Sequence, residues 1–347
     1  MRRSRQPAGR TAAILLVLSA TWFGGGITAG RAEEITLYTT REAQLLAPGI
    51  AAFTRDSGIT VRPVFIEDTM VKRLTAEGET SPADVLLTIG LDKTTQLSDR
   101  GLTQAFASAV VEAAVPPSLR GHDAQWLALS VRPRMVMARK NTALAAITYE
   151  DLADPKWRSK LCMRAALHQN NVALIAAFLA HHGPDATETW LRGLKANLAH
   201  KPAGKDNDVI REIAQGSCEI GLGNTVALAQ LRDGREGRDW AGWADAVKAV
   251  PTSFKGGGGH INLTGAAVAK HAPHPAAARQ FLEFLVTPAA QRIYAAAELE
   301  YPVVPAAGRD PIVTEIGTFP SDTLPIDQIA AHQQAAIALI KKVGFDD

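Results

Sequence analysis

The chain has 347 residues, with 37 Lys and Arg against 35 Asp and Glu. Five of the arginines lie in the first 32 residues, which contain no acid, so residues 33–347 carry 32 basic against 35 acidic groups, a charge of about −3. That balance argues against a nucleic-acid partner, and no later segment has the roughly 20 apolar residues that a spanning helix needs. The 315 residues after the first 32 exceed the size of one ordinary core, which favours two lobes.

Residues 1–32 are expected to be a signal peptide. Arg2, Arg3, Arg5 and Arg10 form a basic start, Ala12 to Ala20 an apolar stretch that runs on through Trp22 and Phe23, and Gly30-Arg31-Ala32 a small-residue exit. Export places Cys162 and Cys218, the two cysteines of the sequence, in an oxidising compartment. A disulfide between them closes a long loop and adds about 2–4 kcal/mol. Neither belongs to a Cys-x-x-Cys pair, so zinc and thioredoxin-like readings have little support.

In chain order, Glu34 to Thr40 alternates as a strand, and Glu42 to Ser57 puts Leu45, Leu46, Ile50 and Phe53 on one helical face ahead of Gly58. Ile59 to Ile66, Asp68 to Glu77 and Ala83 to Thr88 repeat strand, helix and strand, which predicts a parallel sheet with crossover helices. Trp126 to Lys140 is one long extended segment with Pro133 at its middle, taken as the first passage between lobes. Further elements are expected as a helix at Tyr149 to Leu152, a strand at Leu161 to Arg164, helices at Val172 to His182 and Thr187 to Leu198, and a strand at Glu219 to Gly223. Lys255 to His260 holds four glycines and is expected to be flexible, with a return strand from Ile261 to Lys270, a helix from Pro275 to Leu285 and a helical tail from Ile329 to Val343. The fold class is therefore α/β, with residues 33–130 plus 260–310 as one lobe and 131–259 plus 311–347 as the other.

Ser81-Pro-Ala-Asp-Val85 after Ala76-Glu-Gly-Glu79, Tyr149-Glu-Asp-Leu-Ala-Asp-Pro-Lys-Trp157, Ala180-His-His-Gly183, Asn262-Leu-Thr-Gly265, Phe281-Leu-Glu-Phe-Leu285 and Tyr301-Pro-Val303 follow one another in this order. Together they resemble the ferric-ion-binding periplasmic proteins of ABC transporters. The resemblance implies a type II periplasmic binding fold that closes by hinge motion. It also implies a periplasmic location, a monomer, and a membrane permease and ATPase as partners. Members of that family commonly hold Fe(III) through two adjacent tyrosines, since a hard trivalent ion favours anionic oxygen. The equivalent segment here is Asn224-Thr225-Val226-Ala227, with aliphatic residues at both tyrosine positions. The first loop, Tyr38-Thr-Thr-Arg41-Glu42-Ala43, lacks the family's histidine, and Val85 to Ile89 lacks the glutamate some members use.

The residues expected to face the cleft suit an anion: Arg41, Arg132, Arg134, Arg164, His168, Asn170, Asn171, Asn224, Thr225, His260 and Asn262. Arginine offers a planar fork of donors that matches carboxylate or phosphate, and helix N-termini add backbone donors. By the resemblance, an arginine of the Ser130-Val-Arg132-Pro-Arg134 region holds a small anion beside the metal, with the choice between the two arginines open. Against these stand plainer roles: Arg41 and Glu42 solvating a helix start, His181 and His182 favouring a helix dipole, His260 finishing a loop, and the tyrosines Tyr38, Tyr149, Tyr294 and Tyr301 packing. Two cargoes fit: Fe(III) with a synergistic or chelating anion such as citrate or carbonate, or a metal-free phosphonate, sugar phosphate or carboxylate. No resident cofactor is implied. A periplasmic sensor read by a receptor uses the same closure. No Gly-x-Ser-x-Gly elbow, His-Glu-x-x-His helix, dinucleotide fingerprint or P-loop is present, which argues against an enzyme.

Overall fold

The computed structural model describes Met1 and residues 33–347 except Asp68 and His122. The signal peptide expected over residues 1–32 lies, Met1 apart, outside the described residues. Among the described residues no helix is long and apolar enough to cross a membrane.

The opening elements form where their periodicities place them: β1 (Glu34–Thr39), α1 (Ala43–Ser57), β2 (Thr60–Phe65), α2 (Met70–Glu77), β3 (Val85–Ile89) and α3 (Leu91–Asp99). β1 pairs in parallel with β2 on one edge and β3 on the other. Alternation along these strands feeds two cores. Leu37, Val85 and Leu87 join the main one, while Tyr38 and Leu86 meet Met70, Leu74 and Leu97 in a second. Both faces are thereby covered, as parallel strands require.

β4 (Thr103–Gln104) and α4 (Ala109–Ala114) lead into β5 (Leu127–Arg139), the extended segment expected around Pro133. There follow β6 (Ile147–Thr148), β7 (Leu161–Met163), α5 (Gln169–Asn197), α6 (Asp206–Gln215), β8 (Ile220–Asn224), α7 (Thr225–Arg232), α8 (Arg238–Asp245), β9 (Val247–Val250) and β10 (Thr252–Ser253). β11 (Ile261–Ala269), α9 (Pro275–Leu285), α10 (Pro288–Glu298), β12 (Tyr301–Pro302), α11 (Pro311–Ile316), α12 (Ile326–Ala331) and α13 (Gln333–Val343) complete the chain.

The sheet is mixed rather than wholly parallel. Its order is β2-β1-β3-β11-β5-β8-β7, and β11 enters antiparallel to both β3 and β5. β5 changes partners along its length. Leu127 to Pro133 pairs with β11, and Arg134 to Ala138 pairs with β8, with β9 on the other edge. One strand thus carries two sets of neighbours.

Two expected helices, at 172–182 and 187–198, are the limbs of α5. They meet at Gly183, whose φ of 78° and ψ of 174° bend the path within one assigned element. Only glycine takes that backbone readily, and Pro184 begins the next limb where a missing N–H costs little. The amphipathic helix α6 was not expected. It buries Val209, Ile210 and Ile213 on one face and carries Asp206 at its start.

The second half of the glycine run expected to be flexible, Gly258 and Gly259, is closely packed, while Gly256 and Gly257 are exposed. Gly259 N–H donates to the Pro320 carbonyl (2.7 Å), Asp322 N–H donates to the Gly259 carbonyl (2.9 Å), and Phe254 N–H donates to the Gly258 carbonyl (3.0 Å). A Cβ on Gly258 would stand 2.2 Å from the Ser321 carbonyl group. Gly258 and Gly259 are there because backbones touch. Gly258→Ala is expected to destabilise the protein by about 1–3 kcal/mol through overpacking. Urea denaturation of the mature chain checks this, with Gly256→Ala as the comparison where a Cβ meets no neighbour but a positive φ is strained.

Candidate functional site

Strand alternation puts Arg132 and Arg134 on one face of β5, and the register sets Asn262 opposite Arg132, with the Arg134 N–H bonded to the His260 carbonyl (3.0 Å). Four of the expected site residues therefore share one face. Asn262 extends the group, because its Nδ2 donates to Asn170 Oδ1 (3.0 Å) at the start of α5, while its Oδ1 accepts from the backbone of Leu91 (2.8 Å). His168 caps α5, its Nδ1 accepting from Asn170 N–H (3.2 Å).

Arg134 has no accessible surface. Its Nε donates to Asn171 Oδ1 (2.8 Å), one terminal nitrogen donates to Asn224 Oδ1 (2.9 Å) and Asp206 Oδ2 (3.2 Å), and the other reaches the Leu222 carbonyl (3.3 Å). Asn171 in turn donates to the carbonyls of Arg164 and Ala165 (both 3.0 Å), and Asp206 accepts from Asn224 N–H (3.0 Å). One guanidinium binds β5, β8, α5 and α6 together. Burial opposes the charge on Asp206, but Arg134 and Arg164 outweigh it and hold the carboxyl below its usual range.

A second buried network lies on the β11 side. Arg41 bonds Glu298 (2.7 Å), Glu300 (2.8 Å) and Thr264 Oγ1 (3.1 Å), and Glu300 also accepts from Ser130 Oγ and Thr264 Oγ1 and lies 3.2 Å from Arg132 Nε. Burial pushes Glu298 up to about 7, with Glu300 adding to the rise and Arg41 opposing it. Burial would raise Glu300 as well, yet Arg41 and Arg132 bring it down.

These networks separate the arginines by availability. Arg134 spends its donors on protein acceptors, and Arg41, 7 % exposed, spends its two terminal nitrogens on Glu298, Glu300 and Thr264 and leaves Nε without a partner. Arg132 and Arg164 keep 15 % and 17 % of their side chains exposed; Arg164 Nε has no hydrogen-bond partner, and Arg132 Nε meets Glu300 as an ion pair without hydrogen-bond alignment. Asn224 Nδ2, Thr225 Oγ1 and both ring nitrogens of His260 are likewise buried without partners. Other such atoms, Trp157 Nε1 and Gln333 Nε2 among them, lie in other parts of the chain, and Asp206 Oδ1 adds an acceptor without a hydrogen-bond partner here; buried polar atoms are normally satisfied, so this group marks a wall where a polar ligand or water fits. The α5 and α7 N-termini open at the same wall through His168 and Asn224 and add positive dipole ends. Burial, then the charge of Arg164, takes His168 down to about 4, so its ring is neutral near pH 7.

A cavity of about 130 Å³ lies at the C-terminal ends of β1 and β3, bordered by Thr40, Thr88 and Gln96. A larger one of about 230 Å³ lies behind β5, against Val131, Pro133 and Ile261, on the face opposite the arginines. The four tyrosines pack. Tyr149 donates to the Arg134 carbonyl (2.6 Å), Tyr301 to the Gly317 carbonyl (3.0 Å) and Tyr38 to Glu77 (2.9 Å), and Tyr294 is buried. His181 and His182 pair with Asp322 (2.6 Å) and Glu150 (2.7 Å) at the α5 bend. Val226 and Ala227 are buried in the first turn of α7, and Cys162 and Cys218 form a disulfide.

Sequence reasoning missed Asp206, Glu298 and Glu300, the acids that occupy the arginines. Glu298-Leu-Glu300 offered a faint signal, two acids at the end of an alanine-rich helix with no nearby base. Their partner Arg41 is 259 residues from Glu300 in sequence.

A mixed sheet with helices on its faces, and a β5 that carries two sets of neighbours, define an α/β protein. The profile of the family described as bacterial extracellular solute-binding protein matches residues 38–292, and the chain belongs to that family. It is 32 % identical over 321 residues to the iron uptake protein A1 of Synechocystis sp., covering 92 % of this chain and 89 % of that protein. Among solved structures, the Bordetella ferric binding protein is 46 % identical with a TM-score of 0.88, over 91 % of this chain and 100 % of that one. A Trichodesmium protein solved with iron and citrate ligands is 32 % identical with a TM-score of 0.87, over 90 % and 99 %. These neighbours place the chain in the two-lobed periplasmic binding fold.

Two outcomes follow from the buried groups. Asp206→Ala leaves Arg134 enclosed without its acid and is expected to cost about 3–5 kcal/mol in chemical denaturation. Burial, then Arg134, takes His260 down to about 3, against 6.5 for the free side chain. Between those pH values the unfolded chain binds a proton that the native state refuses, so stability falls as pH falls from 6.5 toward 3. His260→Leu is expected to flatten that part of the stability–pH curve by a few kcal/mol, measured by denaturation at stepwise pH.

Proposed function

We propose that the protein is the periplasmic substrate-binding component of an ABC importer, delivering ferric iron together with a chelating anion to a membrane permease and its ATPase. The likeness to ferric-binding and iron-uptake proteins over nine tenths of the chain supports the cargo. The observation that carries the chelate is the donor wall: Arg132 and Arg164, Asn224 and Thr225, and the α5 and α7 N-termini, beside aliphatic Val226 and Ala227. Fe(III) needs anionic oxygen. With no phenolate at those two positions, the oxygens come from the anion, and the protein holds the anion's remaining carboxylates through charge-assisted hydrogen bonds.

In this reading the lobes divide as residues 33–130 plus 260–310 and residues 131–259 plus 311–347, with β5 and the glycine run joining them. The change of partners within β5 supports the first crossing. Arg41 and Arg134 act as struts, and Arg132 and Arg164 as ligand contacts. Membership of a solute-binding family supports binding rather than turnover.

The same aliphatic pair favours a second reading, an organic anion carried without metal. Titration calorimetry on metal-stripped protein distinguishes them. Ferric citrate is expected to bind and citrate alone to bind far more weakly; equal affinity for the two assigns the metal-free reading. Arg164→Ala together with Arg132→Ala is expected to weaken ferric citrate binding by about 10- to 100-fold per arginine removed. Unchanged affinity in a folded double variant removes the donor-wall assignment.

A further inference from the structure

The disulfide sits among ligands that its two sulfurs do not need. Cys162 lies in β7, the last strand of the sheet order, and Cys218 in the turn between α6 and β8. Glu212 of α6 brings a carboxylate oxygen to within 4.8 Å of both sulfurs. His200, just beyond α5, places Nε2 3.5 Å from Cys162 Sγ and 3.2 Å from Glu212 Oε2.

The other ring nitrogen fixes what Nε2 can do. His200 Nδ1 is 2.8 Å from the Lys201 carbonyl, an acceptor only, so Nδ1 carries the hydrogen. In the neutral ring Nε2 is then a bare lone pair facing a carboxylate oxygen and a sulfur. Only a proton on Nε2 or a cation among the three makes that meeting favourable. A backbone carbonyl that orients the imidazole from behind is also the usual support for a metal-bound histidine. The sulfurs are buried, while the side chains of His200 and Glu212 are 38 % and 20 % exposed, which gives a path from solvent.

We propose that reduction of the Cys162–Cys218 bond uncovers a tetrahedral metal site made of two thiolates, His200 Nε2 and a Glu212 carboxylate oxygen. Two sulfurs, one imidazole and one carboxylate are a donor set for Zn²⁺ or Cd²⁺, not for a hard trivalent ion. The step balances with a dithiol reductant: the S–S bond takes two electrons and two protons, the dithiol becomes a disulfide, and metal binding then releases the two thiol protons to solvent. In the oxidised protein both sulfurs are spent on each other and the site is shut. The disulfide thus decides whether this protein accepts a soft metal at a place separate from the donor wall.

The test uses the mature chain, reduced with a phosphine, desalted without oxygen and titrated with Cd²⁺ while sulfur-to-metal charge-transfer absorption is followed. One equivalent is expected to bind to reduced protein and none to oxidised protein. Cys162→Ser should abolish the band, and His200→Ala or Glu212→Gln, with both thiols intact, should each weaken binding at least about tenfold. Absence of a band in reduced, folded protein overturns the proposal, as does a titration indifferent to His200 and Glu212. Where reduction unfolds the chain, Zn²⁺ should restore its circular dichroism in a His200-dependent manner. Failure to do so also overturns it.

Discussion

Two arginines two residues apart on β5, each held by a buried acid from a different part of the chain, are the constraint on which the site depends. Because a strand alternates, Arg132 and Arg134 point the same way; because β5 changes partners between them, Arg132 meets Glu300 on the β11 side and Arg134 meets Asp206 on the β8 side. Desolvating such groups is expensive, and the cost is offset only where each remaining donor finds an acceptor. Arg134 meets that condition through Asn171, Asn224, Asp206 and the Leu222 carbonyl. Arg41 does so in part through Glu298, Glu300 and Thr264.

In the proposed function the donors left over are the ones offered to an anion. Arg132 and Arg164 have burial working against their charge and acids engaging only part of each guanidinium. An anion placed there meets a positive wall already fixed in position, so little side-chain entropy is lost when it binds. The helix N-termini reinforce the same sign. A neutral His168 adds a capping acceptor to α5 without adding charge.

Close backbone contact plays a matching part at the joints. At Gly183 a backbone that only glycine takes readily bends α5 and brings His181 and His182 to their acids. At Gly258 the absence of a side chain lets two backbones meet beside β11. Both positions look like loose punctuation in sequence and are tight in three dimensions. At the β7 edge, the disulfide joins β7 to the α6–β8 turn, so the α6 helix that supplies Asp206 is tied to the strand it serves.

Local pattern was enough for the strands and helices of the first hundred residues, the long β5, the return strand and the α9 helix, because periodicity and glycine or proline boundaries act over a few residues. The motif order carried the family, and the change of both tyrosine positions to Val226 and Ala227 was plain from the residues themselves. The shared face of Arg132 and Arg134 also followed from alternation. What local pattern left undecided was which cations are free. The two pairs share acids, Glu300 meeting both Arg41 and Arg132 and Asp206 meeting both Arg134 and Arg164, so what separates them is how fully each is enclosed, and those pairings exist only once β11 enters the sheet and α6 packs beneath β8. Charge neutralisation in a low-dielectric interior depends on distance through space, which spacing along the chain does not encode.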